Sequence, residues 1–135
     1  MFVHCCHRTW CQRETGSAFA LNALVEASNV ELLQGQVTQT TLPSASGKGQ
    51  VVTRCAVCGI VMWSNYAGAR EKVHFVRVGT LDQPSLAPPD IHIYTTTKQP
   101  WVILLEGVRA VPEYYRRSTT WPADSIARYD AARAS

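Results

Sequence analysis

Val51-Val52-Thr53-Arg54-Cys55-Ala56-Val57-Cys58-Gly59-Ile60-Val61-Met62-Trp63 reads as strand, two-thiol knuckle, strand. The β-branched residues on both sides favour extended chain. Two cysteines separated by two residues can turn both sulfurs to one point, and Gly59 permits the backbone turn that small zinc knuckles need. Cys55 and Cys58 are therefore read as half of a zinc site, the other readings being a redox pair or two unrelated thiols. A redox Cys-x-x-Cys belongs at the start of a helix that follows a strand, whereas Ile60 to Trp63 continues as strand, so metal is the preferred reading.

Upstream of the knuckle, Val37, Thr38, Thr40 and Thr41 favour a strand within Val30 to Thr41, with Gly35 marking a bend. Pro43 to Gly49 is a loop by composition; its likeness to a phosphate-binding loop is superficial, since the spacing is incomplete and no helix follows. Ala18 to Val25 is apolar apart from Asn22 and reads as a buried strand, with a helix as the alternative. Gln12 to Ser17 is one polar turn, a short helix stopped at Gly16. Downstream, Asn65 to Lys72 connects to the alternating strand Val73 to Val78, which ends at Gly79. Three prolines between Pro84 and Asp90 argue against regular structure there. Ile91 to Thr97 reads as a strand with Ile91 and Ile93 on one face and His92 and Tyr94 on the other. Val102 to Leu105 is an apolar segment ending at Gly107. Only Trp121 to Arg133 is clearly helical, opened by Pro122 and rich in alanine. The expected fold is one mainly β domain with short helical turns and a C-terminal helix.

The chain has 135 residues, 46% of them hydrophobic and 17% charged, the balance of a globular domain with a core of its own. Its net charge of +3 comes from scattered arginines that form no stripe, which argues against nucleic-acid binding. Arg116-Arg117, the adjacent basic pair, reads as a solvated edge. No apolar run approaches the ~20 residues of a membrane span, and the first residues do not have the pattern of a signal peptide. Five cysteines in two tight clusters suit a reducing compartment and metal better than a disulfide framework, so a cytoplasmic location is expected.

The second cluster lies close to the first residue. His4-Cys5-Cys6-His7-Arg8-Thr9-Trp10-Cys11 places three thiols and two imidazoles within eight residues, and thiolate and imidazole are the ligands zinc prefers. Cys6 and Cys11 together are read as ligands; His4 and His7, taken singly, are read as ordinary histidines. Glu14 is read as a helix-surface carboxylate, Asp82 as a turn residue, Trp10 and Trp63 as core or pocket walls, and His92 and Tyr94 as core or surface rather than site.

The ordered set Cys6-x-x-x-x-Cys11-Gln12-Arg13-x-x-Gly16-Ser17-Ala18-Phe19, Cys55-x-x-Cys58-Gly59, Gly79-Thr80-Leu81-Asp82, Pro89-x-x-His92-Ile93-Tyr94 and Gln99-Pro100-Trp101 resembles the glutathione-dependent formaldehyde-activating enzyme family, which includes centromere protein V. The resemblance runs from about Val3 to Glu113, so residues 1–113 are expected to form the family domain and 114–135 a C-terminal extension with a helix. It implies a β-tent-like fold with two zinc sites. One is structural, from an N-terminal Cys-x-Cys plus the later Cys-x-x-Cys, here Cys55 and Cys58. The other is catalytic, a Cys-x-Cys-x-x-Cys set with an open position for a thiol. It further implies a carbon–sulfur lyase acting on an adduct of a small thiol and an aldehyde, such as S-hydroxymethylglutathione, with Zn²⁺ as cofactor and glutathione as the type of thiol.

Two departures bear on that expectation. The catalytic triplet falls on Cys6, Arg8 and Cys11, and an arginine, always protonated, cannot ligate zinc. The N-terminal Cys-x-Cys has no counterpart, as though the chain were truncated ahead of it. Three arrangements follow. Cys5 or His7 takes the place of the missing thiolate; or the chain is a degenerate member that keeps the fold as a binding or structural protein; or Cys6, Cys11, Cys55 and Cys58 close a single four-thiolate site.

Overall fold

A computed structural model describes residues 1–135. Its strands are β1 (Phe2–Cys6), β2 (Ala20–Glu26), β3 (Val37–Leu42), β4 (Gln50–Cys55), β5 (Val61–Tyr66), β6 (Val73–Arg77), β7 (Ile91–Ile93) and β8 (Arg109–Ala110). The helices are α1 (Thr9–Thr15), α2 (Arg117–Thr120) and α3 (Ala123–Ala134). All eight strands belong to one sheet in the order β3-β4-β5-β6-β2-β1-β7-β8. Pairing is antiparallel except where β7 runs parallel to β1 and β8 parallel to β7. The fold is mainly β, as the sequence pattern predicts.

Alternation decides what each face carries. In β2, Ala20, Asn22, Leu24 and Glu26 are buried while the residues between them are half-buried, so the segment Ala18 to Val25 is a strand, as expected, and not the alternative helix. These four pair with Cys6, His4, Phe2 and, on the other side, Val73. The buried cluster follows that face: Phe2, Cys6, Ala20, Leu24, Val73, Ile91 and Ile93, closed by Cys11 from α1 and by Trp121 and Tyr129 from the C-terminal segment. Trp121 stacks on Phe2 with ring centroids 5.3 Å apart, and Ser125 Oγ donates to the Met1 carbonyl at 2.8 Å. Arg128 Nη2 reaches Glu26 Oε2 at 2.7 Å. Arg117 is no free edge cation, since its guanidinium lies 4.0 Å from the Tyr129 ring centroid.

The strand signal of Val37 to Thr41 and the bend at Gly35 are both found: β3 starts at Val37, and the backbone turns at Gly35, where φ is 76°. One expectation needs correction. Of Ile91 to Thr97, only Ile91–Ile93 is strand: Tyr94 takes a left-handed conformation (φ 54°) and Thr95–Thr97 form a 3₁₀ turn. Val102 to Leu105 is irregular, with Ile103 92% exposed beside an exposed Trp101. No helix is long and apolar enough to cross a membrane.

Candidate thiol and imidazole site

Cys5 and Cys6 are neighbours on β1, so their side chains leave opposite faces of the sheet. Cys6 pairs in register with Ala20 and Ile93 on the core face; Cys5 pairs with Leu21 and His92 on the other. Two separate clusters result.

On the core face, α1 carries Cys11 back over β1 and brings its sulfur to 3.2 Å from that of Cys6. The helix is held at both ends. Gly16 caps it in the left-handed conformation, its N–H bonding to the Gln12 carbonyl at 2.8 Å. Gln12 Nε2 donates to the carbonyls of His7 (2.8 Å) and Thr97 (2.9 Å), and Gln99 Nε2 donates to Gln12 Oε1 at 2.7 Å. The Cys11 S–H directed at its sulfur holds the Cys6 thiol below its ordinary range, helped by the Arg8 backbone amide and guanidinium. Cys11, the donor, is pushed up by that same bond and by burial. The two shifts run in opposite directions, Cys6 down as the acceptor of the bond and Cys11 up as its donor.

Arg8 stands at the position before α1 with extended backbone (φ −62°, ψ 142°). Its guanidinium lies 4.4 Å from the Tyr94 ring centroid and donates to Tyr94 Oη at 3.2 Å. Cys6, Arg8, Trp10, Cys11 and Tyr94 all line one cavity of 270 Å³, roofed by Ser44 to Ser46 of the β3–β4 loop. Nearby, Arg77 bridges Glu14 and Asn22, bonding Asn22 Oδ1 at 2.6 Å. Glu14 is therefore not the surface carboxylate expected, because the short helix turns it inward to a buried guanidinium. Trp10 lines the cavity as anticipated; Trp63 stacks on His74.

Across the sheet, Cys5 Sγ lies 3.5 Å from His7 Nε2, which lies 3.0 Å from His92 Nδ1. All three residues are buried and their ligand atoms lie within 4.8 Å of one another. Burial, with the negative charge of Cys6 next to it, pushes the Cys5 thiol up to about 12. Burial, with the charges of His92 and Lys98, brings His7 down to about 4; burial lowers His92 as well. His92 escapes sequence reasoning because its partners are 85 and 87 positions away. The alternation Cys5-x-His7 opposite a second histidine strand is the signal that was available.

The knuckle forms as predicted: Gly59 N–H bonds the Cys55 carbonyl and Cys55 N–H the Ile60 carbonyl, both at 2.9 Å, with Gly59 at φ 75°. The backbone amides of Cys58 and Val57, then the Cys58 thiol, lower Cys55. Cys58 is exposed. Cys5, His7 and His92 are the group of three or more potential metal ligands in the chain, so Cys55 and Cys58 gather no third ligand and do not join Cys6 and Cys11 in a four-thiolate site. Nor do Cys5 and His7 complete the Cys6–Cys11 pair, because the pleat sends them to the far face.

The sheet thus sets paired thiols and a cation around one small cavity, with a thiol–imidazole cluster on its other face. Residues 1–97 match the family of the glutathione-dependent formaldehyde-activating enzyme, and the chain belongs to that family. The motifs from Cys6 to Tyr94 that carry the resemblance lie within the match, and Gln99-Pro100-Trp101 lies just past it. No individual curated protein matches the chain.

Proposed function

We propose that this chain acts on adducts between a small glutathione-type thiol and an aldehyde, as a carbon–sulfur lyase. The observation that carries the reading is the shared cavity, where the Cys6–Cys11 pair and the Arg8 guanidinium line one wall system of a size suited to a small ligand. In the cleavage direction the hydroxyl proton leaves oxygen, the carbon–sulfur bond breaks with its electron pair going to sulfur, and sulfur takes up a proton, releasing thiol and aldehyde. Arg8 offers a bidentate anchor for a carboxylate of the thiol substrate. The Cys6 and Cys11 sulfurs, one accepting and one donating in the bond between them, offer a proton acceptor and a proton donor within the same cavity.

The family's zinc does not fit this cavity as the chain builds it. Two thiolates on one tetrahedral zinc stand about 3.8 Å apart, given Zn–S of about 2.3 Å; Cys6 and Cys11 are at 3.2 Å, and Arg8 holds the third place. No step is assigned to a metal there. Cys55 and Cys58 retain the geometry of half a structural site, for which a further pair of ligands would have to come from elsewhere.

Carbon-13 formaldehyde exchanging with glutathione is followed by magnetisation-transfer NMR, with and without protein. Accelerated exchange by the wild type supports the lyase reading, and Arg8→Gln is expected to lower it by removing the carboxylate anchor. A background rate for the wild type would defeat it. A second reading, a family member that binds thiols without turnover, is favoured by Arg8 in the ligand position; saturable glutathione binding at background exchange is its signature.

A further inference from the structure

The geometry points to a zinc site at Cys5, His7 and His92, on the face of the sheet opposite the thiol cavity and distinct from both Cys-pair sites. In a tetrahedral zinc complex with Zn–S of about 2.3 Å and Zn–N of about 2.0–2.1 Å, sulfur and nitrogen ligands stand about 3.6 Å apart and two nitrogens about 3.3 Å apart. Cys5 Sγ to His7 Nε2 is 3.5 Å, and His7 Nε2 to His92 Nδ1 is 3.0 Å. Two of the three pairs thus already stand close to ligand spacing, and the third, Cys5 with His92, lies within 4.8 Å.

Hydrogen bonding does not account for the cluster equally well. His7 Nε2 carries either a proton or a lone pair, so it serves as donor or as acceptor but not as both. Cys5 and His92 both address that one nitrogen, and each has little alternative, since the three residues are 2%, 0% and 4% exposed. A cation at their centre engages the sulfur and both nitrogen lone pairs at once. Zinc suits one thiolate and two imidazoles better than calcium or magnesium, which require oxygen ligands. Binding would release the Cys5 thiol proton and leave the fourth position to a ligand other than these three residues.

The backbone around the site is prepared to hold it. His7 N–H donates to the Ile93 carbonyl at 3.0 Å, and the His7 carbonyl accepts from Gln12 Nε2 and from Thr97 Oγ1 at 2.9 Å. The metal would tie β1 to β7 and to the turn that carries Arg8, setting the position of the opposite cavity from behind. This inference is independent of the lyase reading.

Full-length protein purified under reducing conditions and offered excess zinc is measured for metal per chain by elemental mass spectrometry. The first shell of the bound metal is read by X-ray absorption. About one tightly held zinc is expected, with one sulfur at about 2.3 Å and two imidazole nitrogens at about 2.0–2.1 Å. Cys5→Ser and His92→Asn should release it to a chelator at least tenfold more readily, roughly, while Cys6→Ser and the pair Cys55→Ser with Cys58→Ser keep it. Two or more sulfurs in the shell of the wild-type metal, loss of zinc from the Cys6 or Cys55 variants, or no zinc in the wild type would overturn the site. Because the absorption spectrum is taken on the wild type, a variant that fails to fold does not decide the outcome.

Discussion

His4 and Arg77 show how single side chains govern this molecule. His4 is buried on the core face of β1, and its Nε2 meets the Tyr115 hydroxyl, which itself accepts from Trp121 Nε1 at 2.7 Å. The imidazole and the Tyr115 hydroxyl share that bond, and burial brings His4 down to about 4. The unfolded chain binds the proton near pH 6.5, the folded chain only near 4, so between these values the unfolded state holds more protons. Stability is complete above about pH 6.5 and falls as pH drops toward 4, by about 3 kcal/mol from this residue. Urea midpoints measured across that window should show the slope, and His4→Gln should reduce it by about one proton. Arg77 and Glu14 form a pair with side chains 10% and 5% exposed. Arg77→Met leaves a buried carboxylate without its cation and should cost about 3–5 kcal/mol in chemical denaturation, part of it recovered by adding Glu14→Gln.

At the scale of elements, α1 is the part on which the thiol cavity depends. It has no side-chain cap at its start and only two turns, so its end and its tertiary bonds hold it. Gly16 sits at φ 68° with open space where a Cβ would go, which makes a substitution there a pure backbone effect. Gly16→Ala should cost about 1 kcal/mol, lowering the thermal midpoint by about 4 °C. The same variant should loosen the Cys6–Cys11 contact, read as faster thiol labelling of Cys11. Tyr94 is the counterpart across the cavity. Its left-handed backbone ends β7 and swings the ring beneath Arg8.

For the whole molecule, the residues beyond the family match complete the core. Trp121 and Tyr129, 6% and 8% exposed, cover Phe2 and the end of β1. Trp121→Ala should destabilise the fold by about 3–5 kcal/mol in equilibrium unfolding, a cost out of proportion to its place in the tail. A change near that size would show that the C-terminal helix is an integral part of the domain; one under about 1 kcal/mol would show it to be an appendage.

Local chemistry was enough to read several features from the order of residues. The knuckle at Cys55–Gly59, the short helix ending at Gly16, the strand at Val73 and the terminal helix each depend on neighbours within a few positions. The family motifs are likewise short runs in sequence order, so the membership was legible. What alternation alone implied, but sequence could not place, was which face of β1 met which partner. That depended on β7 arriving parallel to β1 in the one register that sets His92 beside Cys5 and Ile93 beside Cys6. A shift of one residue would exchange the two faces. The gathering of Cys5 with His92 follows from that register, whereas the pairing of Cys6 with Cys11 follows from the fold of α1 over β1 and the burial of Glu14 from α1 meeting Arg77 of β6. These contacts join segments up to 87 residues apart, and only the tertiary structure brings them together.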